Sequence, residues 1–200
     1  LSVVDKGIDL AMRVGESRFD WRPSTALIMG AGPIGLLATM VLRLMGLKTV
    51  TAATRPVDSL KARLAQELGS KYIDTLTDKV EGEFDLVVEA TGAISVAMES
   101  IKYLAAGGVM VLLGVYPQGG EAHDVGSLLT DAVLNNKAII GSVNASIKHF
   151  ENGLQHMVKS KAIHGDWLNK LITKVSTLDN YGEAYTWTHE DIKTVLKISE

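Results

Sequence analysis

The chain has no cysteine among its 200 residues. That single absence removes disulfides, thiolate nucleophiles and every cysteine-ligated zinc site, and it fits a cytoplasmic protein. An excess of either charge is also missing. The formal net charge of −3 offers no basic surplus for nucleic acid or an anionic membrane, so neither is expected as a partner. No apolar run reaches bilayer-spanning length, since Arg43 and Lys48 interrupt the longest candidate. The amino end, Leu1-Ser2-Val3-Val4-Asp5-Lys6, has neither the basic start nor the long apolar segment of a secretory signal. It also has no initiator methionine, and it reads as the middle of a longer chain. His123, His149, His156, His164 and His189 show no His-Glu-x-x-His spacing and are expected to be surface or structural residues. Ser17, Ser24 and Ser127 lack a Gly-x-Ser-x-Gly setting, which leaves nucleophilic catalysis without support.

The composition, 46% hydrophobic and 22% charged, is that of an ordinary soluble domain with enough chain to bury a core. Its organising stretch runs from Thr25 to Leu37. An apolar segment of strand length, Thr25-Ala26-Leu27-Ile28-Met29, meets Gly30-Ala31-Gly32-Pro33-Ile34-Gly35, and an apolar helical pattern follows at once. A dinucleotide pyrophosphate needs that order. Gly30 lets the chain turn off the strand, Gly32 leaves room for phosphates, and Gly35 lets the helix pack on the strand. The helix start presents free N–H groups and partial positive charge. The Met and Leu residues of 33–47 recur at helical spacing and are expected to be core.

The rest of the chain alternates in kind. A helix over 2–15, with Ser2 as its cap, leads through Phe19–Ser24 into a first strand at 25–30. Helices at 33–46, from Pro56 and Asp58 to Gly69, at 93–105 and at 124–136 alternate with strands at 48–54, 71–74, 84–90, 109–114 and 138–143. Asp58 is expected to cap the second of those helices. Asp85 and Glu89 share a strand face, and Glu89 is expected to end that strand as a polar residue. Strands alternating with helices predict an α/β fold: a doubly wound, parallel, six-stranded sheet of Rossmann type with helices on both faces. The expected order is 3-2-1-4-5-6. The tail breaks the rhythm, with helical stretches at 145–160 and 165–171, a strand at 172–176, a short helix at 179–185 and a strand at 192–198. The chain is therefore expected to divide into a lead-in helix and connector (1–24), a nucleotide-binding domain (25–171) and a returning segment (172–200).

The end of the second strand usually identifies the nucleotide, because an acid there holds the ribose 2′-hydroxyl of NAD. No Asp or Glu occurs between Gly30 and Asp58; the strand ends instead in Thr54-Arg55. A guanidinium can pair with a 2′-phosphate through two charge-assisted hydrogen bonds, so the site leans toward NADP, with NAD possible. The same lack of an acid argues against a methyltransferase.

Several further stretches resemble one family, the cofactor half of zinc-type medium-chain dehydrogenases of the archaeal glucose dehydrogenase kind. They are Leu1–Val4 with Phe19–Ser24, then Glu89-Ala90-Thr91-Gly92, Leu112-Leu113-Gly114-Val115, and Asn135-Asn136-Lys137 through Gly141-Ser142-Val143-Asn144. The resemblance implies that Ala31, Gly32, Pro33 and Ile34 lie along the pyrophosphate and that Thr54 and Arg55 hold the 2′-phosphate. Thr91, Gly92, Leu113, Gly114 and Val115 would flank the nicotinamide half. Ser142 and Val143 would touch the nicotinamide end, and Asn144 would reach a sugar hydroxyl. Pro56 stands where relatives often carry a second arginine, and Leu134 where some carry a substrate-facing histidine. The resemblance further implies an oxidoreductase that converts an aldose such as glucose to its lactone. Its zinc and most of its substrate ligands would lie in a domain preceding Leu1, and it would be a homo-oligomer, dimer or tetramer. This chain alone is expected to be inactive. The alternatives are a catalytically silent nucleotide-binding or interaction module, and an alcohol or polyol dehydrogenase of the same superfamily.

Overall fold

A computed structural model describes residues 1–118 and 124–199, which leaves His123 and the neighbouring polar loop outside the described residues. Six strands form one parallel sheet: β1 (Thr25–Met29), β2 (Lys48–Ala53), β3 (Lys71–Asp74), β4 (Phe84–Glu89), β5 (Leu104–Leu112) and β6 (Ala138–Gly141). Their spatial order is β3-β2-β1-β4-β5-β6, as the alternation of elements predicts. Period two explains why the central strands read as unbroken apolar runs. Ala26, Ile28, Leu86, Val88, Val109 and Val111 enter the core on one face. Leu27, Met29, Val87 and Met110 enter the core on the other. Each face needs its own apolar set because helices cover both.

On the first face lie α1 (Ser2–Arg18), α2 (Pro33–Leu44) and α6 (Ile147–His164); α3 (Leu60–Glu67) adds Ala62, Leu64 and Ala65 to the same cluster. On the other lie α4 (Ile94–Ser100) and α5 (Val125–Leu134). Asp85 joins the amino ends of β4 and β1: its Oδ2 accepts from the backbone N–H and hydroxyl of both Ser24 and Thr25 at 2.8–3.2 Å. Burial raises this carboxyl's pKa, but those four donors outweigh it and hold the group below its ordinary range.

Several boundaries differ from the sequence expectation. Ser2 makes no capping bond; Leu1 occupies the cap position of α1. Asp58 does not cap α3, because the chain enters that helix one residue later and Ser59 Oγ accepts from Ala62 N at 3.3 Å. The helix expected over 93–105 ends at Ser100. A 3-10 turn, Ile101–Tyr103, then delivers Leu104 to the sheet opposite Phe84. Helix-compatible alanines at 105 and 106 are thus drawn into β5, and Leu104 is fully buried: tertiary pairing overrides local propensity. In the tail, α6 is one continuous helix to His164, followed by a 3-10 turn at Asn169–Leu171 in place of a second helix.

That tail is fastened to the sheet domain. Trp167 is fully buried and its indole N–H donates to Leu64 O in α3 at 2.9 Å. Beyond it, β7 (Ile172–Thr177) and β8 (Lys193–Lys197) pair in parallel as a separate two-stranded sheet, and Ile192 returns to the main core.

Candidate nucleotide-binding cleft

The cleft opens at the carboxyl ends of β1, β2 and β4, where an open α/β sheet places its ligands. Gly30 adopts φ +107°, in the left-handed region, and a Cβ there would stand 3.0 Å from Thr91 Cγ2. A Cβ on Gly35 would lie 1.9 Å from the carbonyl oxygen of Gly30, so no side chain fits and the first turn of α2 sits directly on the end of β1. Gly32 caps α2 ahead of Pro33, and a Cβ on it would meet nothing within 4 Å. The first-turn N–H groups of α2 have no intrahelical partners and carry the positive end of the helix dipole. Gly30, Ala31, Gly32, Thr54, Arg55 and Thr91 all line one cleft of 340 Å³. Pro33, Ile34 and Gly35 open α2 directly after Gly32 and are not among the residues that line the cleft.

Its basic wall is built from two elements. Arg55 follows β2, and its carbonyl accepts from the hydroxyl of Tyr72 at 3.0 Å. Burial, with the nearby Asp74 carboxylate, pushes that phenol up to about 12, so it stays a donor. Nη1 of Arg55 donates to Thr54 O at 2.6 Å, and Nη2 lies 3.0 Å from Nδ1 of His189. Lys61 of α3 also lines the cleft although it is only 6% exposed. Burial, then the neighbouring Arg55, lowers its pKa. Among the described residues neither cation has a carboxylate within 4.0 Å.

At the other end, Glu89 ends β4 as a polar residue, as expected, and it is fully buried. Its carboxylate accepts from Thr91 N at 2.7 Å and from the hydroxyls of Thr91 and Tyr116. Burial and that bond to Glu89 raise the Tyr116 pKa well above the ordinary phenol range. A Cβ on Gly114 would stand 2.6 Å from Glu89 Oε2 and 2.5 Å from Gly92 N, so a glycine there lets the loops after β4 and β5 close over the carboxylate. Thr91 and Gly92 are thereby brought against Gly114 and Val115, and Leu113 N donates to Glu89 O at 2.9 Å. Ser142 follows, its N–H bonded to Leu112 O at 3.1 Å. Val143 O accepts from Lys6 Nζ at 2.5 Å, and Asn144 turns the chain at φ +64°. Residues 142–144 adjoin the loop after β5 but do not form walls of the 340 Å³ cleft.

Three residues escaped the sequence reading: Lys61, Tyr116 and His189. Only Lys61 left a signal. It lies in the first turn of α3, where the helix dipole disfavours a cation, and a residue placed against its dipole invites another explanation.

Six parallel strands in this order, with a glycine turn at the end of β1, define a Rossmann-type α/β domain. Comparison with known proteins then gives the family. The model for the family described as glucose dehydrogenase C-terminus matches residues 1–198, and the chain belongs to that family. Glucose 1-dehydrogenase 1 of Caldivirga maquilingensis is 66% identical over 199 residues, 100% of this chain and 57% of the relative. Glucose 1-dehydrogenase of Thermoproteus tenax is 56% identical over 198 residues, 99% of this chain and 57% of the relative. The Haloferax mediterranei glucose dehydrogenase, solved in complex with NADP, Zn and gluconolactone, superposes with a TM-score of 0.89 at 31% identity. This chain is covered in full and spans 57% of that one. The chain thus spans somewhat over half the length of the relatives it matches.

Proposed function

We propose that the chain is the NADP-binding part of an enzyme that oxidises glucose or a related aldose to its lactone, with NAD as a weaker acceptor. The observation that carries this reading is the wall of the cleft. Arg55 and Lys61, with no carboxylate partner among the described residues, face the same space as the open side of Gly32. A dinucleotide bearing one more phosphate than NAD would complete that charge pattern, and a free ribose hydroxyl would not. When bound, NADP supplies the carbon that takes up the hydride.

The chain's own residues bind and orient. Ala31, Gly32, Pro33 and Ile34 follow the pyrophosphate at the amino end of α2, while Thr54 and Arg55 hold the 2′-phosphate. The loops clamped by Glu89, with Thr91, Gly92, Leu113, Gly114 and Val115, flank the nicotinamide half. Ser142 and Val143 reach its far end, and Asn144 offers an amide to the sugar. Among the described residues no group of three His, Asp or Glu side chains could hold a metal. We assign the zinc to the part of the enzyme that precedes this domain. We assign 1–24 to a lead-in helix and connector, 25–171 to the nucleotide domain and 172–200 to a segment that packs on that preceding part. Val175 (61%), Tyr185 (81%) and Ile198 (78%) leave that segment with apolar surface to cover. The apolar edge at β6 suits pairing with a second copy.

Fluorescence titration with NADPH and NADH, on wild type and on Arg55→Ala, tests the reading. NADPH should bind roughly tenfold or more tightly than NADH, and the substitution should erase the difference. A folded chain that binds neither nucleotide, or both alike, would overturn it.

A further inference from the structure

The 2′-phosphate reader of this chain extends into its tail. The turn between β7 and β8 comes back to the carboxyl end of β2, more than a hundred residues away in sequence. There it meets both cations of the cleft wall. A guanidinium only donates, so in the 3.0 Å contact Nδ1 of His189 accepts from Nη2 of Arg55. The backbone carbonyl of the same residue accepts from Lys61 Nζ at 2.7 Å. One residue thus contacts two like charges that repel each other.

The turn is itself fastened. Asp191 Oδ2 accepts from the N–H and hydroxyl of Thr188 at 2.7 and 2.9 Å. Ile192 is buried in the main core, and its N–H donates to Thr173 Oγ1 at 2.9 Å. Trp187 lays its ring 5.3 Å from Lys61 Nζ and meets the His189 imidazole edge-on at 5.3 Å. Arg55 is held from the opposite side by Tyr72 through its carbonyl and by Thr54 O through Nη1. Nη1 also donates to Thr54 Oγ1 at 3.4 Å, so both terminal nitrogens are engaged with protein, which sets the plane of the guanidinium and leaves its remaining N–H groups for a ligand. An arginine whose plane is already set loses less freedom when it takes up a phosphate.

We propose that His189 is a positioning residue for the adenosine 2′-phosphate, acting through Arg55 and Lys61, and that the tail turn 187–192 therefore sets the preference between phosphorylated and unphosphorylated nucleotide. Pro56 occupies the position where a second arginine could have shared the phosphate, and the tail contact offers a different means of holding the two available cations. This inference rests on the NADP reading above.

The test uses the 200-residue chain and the two adenosine halves that differ only in the group concerned: adenosine 2′,5′-bisphosphate and adenosine 5′-monophosphate, titrated calorimetrically. Wild type should favour the bisphosphate. His189→Ala should reduce that ratio roughly threefold to tenfold by weakening the bisphosphate alone. His189→Asn, whose Oδ1 can accept in place of Nδ1, should restore most of the ratio. Should the alanine variant fail to fold, His189→Phe keeps the edge contact with Trp187 without an acceptor, and it should lose the ratio likewise. An unchanged ratio in a folded alanine or phenylalanine variant, or equal weakening of both ligands, would sink the inference while leaving the NADP reading intact. A wild-type ratio of one would remove both, and an Arg55→Ala control run beside it identifies which contact carries the preference.

Discussion

Helices α2 and α5 are both rich in apolar residues, yet one is buried and the other is not. α2 buries Leu36, Ala38, Met40, Val41 and Leu42 against β1 and its neighbours. α5 buries none of its residues, and Leu129, Val133 and Leu134 stand 60%, 76% and 74% exposed. The difference lies in where the sheet puts them. α2 links two central strands and is enclosed by α1, α3 and α6, whereas α5 leads to β6, the last strand of the sheet. An apolar pattern therefore marks a face that wants covering, and the topology decides whether this chain supplies the cover.

The contrast can be broken or sharpened by substitution, beginning with the largest effect. Leu36→Ala should destabilise the chain by about 3 kcal/mol in urea unfolding, since it opens a cavity in a closed layer. A loss of under about 1 kcal/mol would mean that α2 is not the core helix it looks to be. Gly35→Ala should come next, at about 2 kcal/mol, because its methyl would be driven into the Gly30 carbonyl. Nucleotide affinity should fall with it, as the helix start is pushed off the strand, and titration of the folded fraction would show this.

Asp85 and Asp124 give the polar version of the comparison. Both carboxyls lie below their ordinary range, Asp85 through four donors despite burial, and Asp124 through the side chain and backbone of Ser127 at the start of α5. Asp85→Ala should cost about 1 kcal/mol at neutral pH after allowance for solvent screening, and Asp124→Ala distinctly less. The sign of the pH dependence follows from the lowered folded-state pKa. The Asp85 contribution is complete above the ordinary carboxylate range and is lost as pH falls through its folded value, so wild type and variant should converge in acid. Parallel stability curves down to the acid limit would contradict this. The smallest effect belongs to Leu134→Ala, within about 0.5 kcal/mol of wild type by urea unfolding at low protein concentration. If two copies pair along β6, Ile139→Lys should lower the sedimentation coefficient at high concentration. A wild type that stays monomeric there would speak against the edge pairing.

The sheet was readable because its signals are local. Alternating strand and helix lengths, glycine stops and the absence of crossing turn signals suffice to order six parallel strands with right-handed connections. The junction at Ser100–Leu104 was not readable, since nothing within 93–105 announces that Leu104 will find Phe84 across the sheet. The burial of Glu89, the last residue of β4, was not readable for a related reason. A carboxylate at a strand end ordinarily faces water, and only the convergence of Thr91, Tyr116 and the side-chain-free Gly114 makes its burial tolerable.

By itself the sequence determined the order of elements, the glycine turn after β1 and the want of an acid at the end of β2. Each is a matter of neighbouring residues and short-range backbone sterics. The tertiary structure alone decided which apolar helix would be covered, which carboxylate would be buried and which cation would stand beside Arg55. It also brought His189 from the tail to that arginine. Those outcomes depend on pairs of groups far apart in the chain, whose energies exist only once the sheet has closed and water has been displaced from between them.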